Sequence, residues 1–188
     1  MQTKVLVLIL ASLAVGCSAV GGRSVSKDGR PGEPLELERL QVGSVYGVGS
    51  RFSSDGLEFA VDGFGEGLGN TEIGSSADPK TSAKQQKEAA KTMRLSHAIL
   101  RCRGRHTSRL EFDYVDHGGA VALEIAGENR AAADFITLDG AQFQGVQVSV
   151  AESSTAGVRR GRVLVTGAID RFAIAGADLE LADVRLVR

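Results

Sequence analysis

Apolar residues in this chain recur at every second position, and that spacing restricts the fold more than any other feature. Leu110, Phe112 and Tyr114 alternate with Glu111 and Asp113, and Val121, Leu123 and Ile125 with Ala122 and Glu124. Val146, Val148 and Val150 alternate with Gln147 and Ser149, and the pattern returns at Phe172 and Ile174 and at Leu179 and Leu181. Successive side chains of a strand point to opposite faces, so this pattern gives each strand one buried and one wet face, as half-buried antiparallel sheets require. Turn residues fall between the runs. Asp116-His117-Gly118-Gly119 links two of them, and Asp139-Gly140 separates Phe135–Leu138 from Phe143; Asp-Gly supplies the positive φ of a tight hairpin. The expected fold is all-β, a single antiparallel β-sandwich of jelly-roll type. The alternation changes phase from Leu35 and Leu37 to Leu40 and Val42, and from Leu179 and Leu181 to Val184 and Leu186. Each change implies a bulge or bend, and their positions suggest that the first and last strands are neighbours.

The first residues have a different character. Lys4 precedes an apolar run from Val5 to Val15, too short to span a bilayer, which reads as an export signal. Leu13-Ala14-Val15-Gly16-Cys17 then resembles the lipobox of bacterial lipoproteins, although Ala14 stands where leucine is usual, three residues before the cysteine. The resemblance is confined to the signal. It implies loss of residues 1–16, lipidation of Cys17 and, in a Gram-negative cell, sorting to the outer membrane facing the periplasm, because serine follows the cysteine. Several acyl chains make such an anchor effectively permanent. Residues 17–34 are rich in Gly and Ser and read as a flexible tether, and residues 35–188 as the sandwich domain. If Cys17 is lipidated, Cys102 has no partner in its own chain, and Ala98, Leu100 and Cys102 share one strand face, so it reads as a small buried hydrophobe.

Residues 64–93 depart from the alternation. They open with a Gly-rich run and continue through Ser82 and Gln85, at capping-box spacing, into a helix-forming stretch without an apolar stripe. The segment reads as a long polar insert, either disordered or holding a short helix. Gly63, Gly65, Gly67 and Gly69 do not match GxGxxG, because Leu68 occupies the third glycine's place, and a turn after a strand is the simpler reading.

Charge excludes one class of function. With 22 Lys and Arg against 23 Asp and Glu, the chain lacks the basic excess of a dedicated nucleic-acid binder. No GxSxG or HExxH pattern is present, and no motif calls for a cofactor. His97 shares a face with Ile99 and Arg101, and His106 follows a basic turn. Asp113, Asp116 and His117 surround one turn and are the weak candidates for a metal site; a polar loop satisfying its own backbone explains them equally well. Tyr46, in a Gly-rich stretch, is the candidate aromatic platform for a glycan, and the chain has no Trp to assist it.

Arginine gives the best binding signal. Arg101, Arg103 and Arg105 alternate with Cys102 and Gly104, so an extended strand places three guanidiniums on one face, flanked by Arg94 and Arg109. Arginine grips phosphate and carboxylate in a bidentate fork. Alternatively, these charges pair across strands, with Glu111 or Asp113 as partners. The expectation is an exported, membrane-anchored lipoprotein whose non-catalytic sandwich binds an anionic envelope polymer or an envelope protein. The competing expectation is an envelope hydrolase or metal-dependent enzyme with its site near residues 113–117.

Overall fold

A computed structural model describes residues 40–54, 57–67, 69–75 and 91–187. The export signal, Cys17, the tether, Leu35, Leu37 and the capping-box stretch lie outside the described residues. Alternation becomes strand as expected: β1 (Val45–Gly47), β2 (Arg51–Ser54), β3 (Leu57–Gly63), β4 (Asn70–Ser75), β5 (Lys91–Ile125), β6 (Glu128–Ala132), β7 (Gln142–Phe143), β8 (Val146–Thr155) and β9 (Val158–Val187). Every pairing is antiparallel. Phe135–Leu138 forms a 3-10 turn capped by Asp134, whose carboxylate accepts from the Thr137 N–H at 3.3 Å. No helix among the described residues is long and apolar enough to cross a membrane.

Strand β5 has 35 residues and β9 has 30. Held straight, β5 would run about 115 Å at ~3.3 Å per residue. A domain of this size has a radius of gyration of only about 15 Å, so both strands must fold over. Their registers show how. Residues 92–103 pair with 171–182 of β9, residues 109–116 pair with 159–166 on one edge and 179–187 on the other, and residues 121–125 pair with 172–176. The ladders therefore separate into two layers. One runs β1, β4, 91–96, 178–187, 109–116, 159–166, β8, β7; the other runs β2, β3, 98–103, 171–176, 121–125, β6. Segments of β5 and β9 alternate between the layers, so one continuous sheet wraps a single core as a sandwich. Leu95, Phe112, Phe143 and Leu179 of the first layer belong to the same buried cluster as Phe59, Leu100, Leu123 and Ile174 of the second.

The buried positions change phase wherever a strand crosses. Met93 and Leu95 give way to Ala98, Leu100 and Cys102, and Leu110, Phe112 and Tyr114 to Val121, Leu123 and Ile125. Backbone with positive φ marks these points: His97 at 48°, Gly104 at 138°, Gly118 at 124°, Gly119 at 94° and Gly167 at 142°. The phase change after Leu181 is likewise a bulge, with Asp183 at φ 51° and Val184 buried. At Gly119 a Cβ would also stand 2.6 Å from that of Ala177, so this crossing needs glycine for space as well as for φ.

Several expectations are corrected. Asp116–Gly119 is no hairpin turn; it is a crossing inside β5, because the chain on both sides stays paired to β9. The polar insert does not extend from 64 to 93, since Asn70–Ser75 form β4 and β5 begins at Lys91. Its buried face shows only Thr71 and Ile73, too few apolar residues to reveal an alternation, and residues 76–90 lie outside the described residues. Among the described residues the first and last strands are not neighbours, since β1 pairs with β4 and β9 with β5 and β8; Leu35 and Leu37, on which the expectation was built, lie outside them. Among the described residues the two-residue hairpins are Ala126-Gly127, Gln144-Gly145 and Ala156-Gly157, each with both residues at positive φ as a type I′ turn demands. Asp139-Gly140 instead closes the 3-10 turn, with φ of 74° at Gly140 alone of the two.

Short strands end both layers: β1 and β7 in one, β2 and β6 in the other, none longer than 5 residues. Short edges offer little template for pairing with another chain. Tyr46 on β1 stacks on Phe52 of β2 at 4.2 Å, and Phe52 stacks on Phe59 of β3 at 5.0 Å, which closes the core between the two layers on that side.

An L-residue at positive φ costs roughly 1–2 kcal/mol. Gly118→Ala, with open space around its Cβ, is expected to lose only about that amount. Gly119→Ala adds the collision with Ala177 and is expected to lose ~2–3 kcal/mol in urea unfolding. Equal losses for the two variants would refute close packing at this crossing.

Candidate functional site

Arg101 lies on the outward face of the second layer, between Ala60 of β3 and Ala173 of β9. Those small neighbours let the guanidinium lie along the sheet. Its Nε donates to Asp62 Oδ2 at 2.6 Å and its Nη1 to Glu124 Oε2 at 2.5 Å, reaching across β9 to a segment two strands away. The hydrogen bonds to Glu124 and Asp62 raise its pKa. Arg101 is therefore committed within the chain. Its partners are not the expected Glu111 and Asp113. Those are held in the other layer by Arg162, which grips Asp113 through two nitrogens at 2.6 and 2.9 Å and approaches Glu111 at 3.1 Å.

Arg103 has a different setting. It is exposed, and its neighbours in register are Glu58 on β3 and Arg171 on β9. Among the described residues no carboxylate lies within ion-pair distance of Arg103 or Arg171. Arg171 Nη2 donates to the Ala126 carbonyl at 3.3 Å, which lays its guanidinium over the Ala126-Gly127 hairpin. Two arginines thus stand directly opposite one another on adjacent strands. Arg105 continues β5 toward the bend, and its side chain lies outside the described residues. Next to it, exposed His106 places Nδ1 2.5 Å from Asp170 Oδ1.

The residues around 113–117 do not converge. Asp113 faces outward to Arg162, whereas Asp116, on the opposite parity, is 1% exposed and accepts from the Gly118 N–H at 2.8 Å and from Arg159 Nε at 3.1 Å. His117 is exposed. Period two sends neighbouring groups to different faces, and among the described residues no three His, Cys, Asp or Glu are grouped to hold a metal. What the sequence did not reveal is the set gathered by Arg159, which also donates to Asp134 Oδ2 at 3.0 Å. Tyr114 lies beside it, donating to Glu152 Oε2 at 2.6 Å. Burial first, and then the bond to Glu152, raises the Tyr114 hydroxyl pKa and keeps it a donor. The one available signal was parity, which places Asp116 on the buried face with Leu110, Phe112 and Tyr114. It did not identify the cation.

Tyr46 is part of the aromatic stack and offers no free platform. Cys102 is buried beside a cavity of about 10 Å³ lined by Leu57, Thr107, Ile169 and Phe172, space for one water at most. Burial pushes its thiol up to about 12.

Removing Arg159 strands a buried carboxylate, so Arg159→Met should cost ~2–3 kcal/mol in urea unfolding. Arg101→Met breaks a more exposed pair and should cost less than about 1 kcal/mol. At pH 8 a thiol of that pKa is about one part in ten thousand thiolate. Cys102 should therefore resist an aromatic disulfide reagent until the chain is unfolded, then react stoichiometrically; labelling of the native protein would contradict its burial.

No protein-family model matches the chain, and neither does any curated protein or solved structure.

Proposed function

We propose that this is an exported lipoprotein, anchored through Cys17, whose sandwich is a non-catalytic module that binds an anionic polymer of the cell envelope. Arg103 and Arg171 are its contact residues. The carrying observation is the register that sets Arg103 opposite Arg171, with no carboxylate of the described residues within ion-pair distance of either, Glu58 beside Arg103 included. Like charges directly opposite on neighbouring strands cost up to about 1 kcal/mol. An anion between them removes that cost, and two guanidinium forks suit phosphate or carboxylate groups repeated along a polymer. Arg101, held by Asp62 and Glu124, braces the adjacent row and takes no part in binding.

The anchor is supported by the lipobox-like segment ending at Cys17. In a bacterial host, labelled palmitate should enter the full chain and be absent from Cys17→Ala. For the module, a lipid-free chain beginning at Gly21 is sedimented with purified envelope fractions across a salt series. Binding should weaken as salt rises. Each of Arg103→Ala and Arg171→Ala should reduce it about tenfold, equivalent to ~1.4 kcal/mol per lost charged contact, while Arg101→Ala leaves it nearly unchanged. No sedimentation at low salt, or equal loss with Arg101→Ala, would overturn the assignment.

A further inference from the structure

The described residues expose four large apolar side chains: Val42 at 49%, Val45 at 59%, Val48 at 56% and Ile136 at 41%. Isolated exposed valines are ordinary. Three of these fall within seven residues around β1, which has β4 alone as its strand partner. Alternation explains Val45: Tyr46 turns inward onto Phe52, so Val45 must turn outward. Val42 and Val48 occupy the turns on either side, beside Gly43 at φ 86° and Gly49 at φ 87°. A Cβ added at Gly43, Gly47 or Gly49 would meet no atom within 4 Å, so among the described residues this edge is uncovered. Charged residues are the usual protection for such an edge, and here valines take their place.

We infer that this edge seats on the lipid surface to which the chain is anchored, an inference that rests on the anchor proposed above. The entry point of the chain selects this occupant. Leu40 is the first described residue, and its carbonyl accepts from Lys91 Nζ at 2.7 Å, which ties the entry point to the start of β5. Only residues 18–39 separate it from Cys17. Whatever path they take, 22 residues reach no further than about 80 Å. The valine edge, beginning two residues beyond Leu40, is therefore held at high effective concentration over the bilayer. Uncharged β-branched side chains on turns can enter the boundary between headgroups and acyl chains. Exposed Arg51, at the start of β2, adds a cation for anionic headgroups. Glu72, beside Val45 in register, is the carboxylate of this edge; its other neighbour, Arg94, is held by Asp178 at 3.0 Å.

The chain contains no Trp, so one introduced residue reports without background. The mature chain from Cys17, carrying Val45→Trp, is coupled through Cys17 to a maleimide phospholipid in vesicles of phosphatidylethanolamine and phosphatidylglycerol; buried Cys102 is spared. Coupling should shift the emission to the blue, and brominated acyl chains should quench it. Val48→Trp should behave alike and covers a folding failure of the first variant, while Ile136→Trp should show neither effect. Unshifted emission from Trp at 45 and 48, or an equal shift at 136, would overturn the seating. Palmitate labelling judges the anchor separately: loss of label with a shift on coupling would refute the anchor alone, and label without a shift would refute the seating alone.

Discussion

Strand β9 is hydrogen-bonded to β5 along both edges over its C-terminal half, and the remainder of the architecture depends on that arrangement. Residues 171–182 meet 92–103 on one side, while 172–187 meet 109–125 on the other. Because the two flanking segments belong to one strand, β5 must pass around β9, and it does so by changing layer three times. The short strands are then attached to the open edges of this centre: β3 and β4 to the first half of β5, β6 to its end, and β8 to the start of β9. Partners are separated by up to 90 residues, as in Thr92 with Ala182. Loop closure over such distances precedes any reward from pairing, so the topology implies slow folding.

The sandwich was legible because burial imposes period two on every segment long enough to display it. Residues 110–114, 121–125 and 146–150 show the pattern in the sequence and are buried on the predicted face. Other features were obscured for separable reasons. The three I′ turns among the described residues use Ala-Gly or Gln-Gly and not the expected Asp-Gly, since only the glycine position strictly requires a special residue. The crossings at Gly104 and at Gly118-Gly119 resembled turns, because a strand that changes layer uses the same positive-φ backbone as one that reverses.

The candidate site was legible only by face. Parity correctly predicted that Arg101 and Arg103 point outward and that Cys102 points inward. It carried no information about neighbouring strands, and those determine whether a charge is satisfied. Arg101 finds Asp62 and Glu124, 39 and 23 residues away, whereas Arg103 two positions later finds Arg171. The same uncertainty hid the Arg159 cluster, whose members come from β5, β9 and the cap of the 3-10 turn.

Core packing does not force the arginine pair. The register of this ladder is set on the inner face, where Leu100 pairs with Ile174 and Cys102 with Phe172, and a slip by one residue would turn those side chains outward. That constraint fixes which two outward positions face each other and leaves open what occupies them. Elsewhere on the outward faces, opposite charges meet: Asp113 faces Arg162, and Glu111 faces Arg185 across its other edge. In this row Arg103 has Glu58 in register on β3, and a carboxylate at position 171 would set a second acid beside it without disturbing the core. The arginine found there adds like charge instead, and its Nη2 donates to the Ala126 carbonyl at 3.3 Å. The row therefore carries a like-charge contact, worth up to about 1 kcal/mol, that the core does not impose.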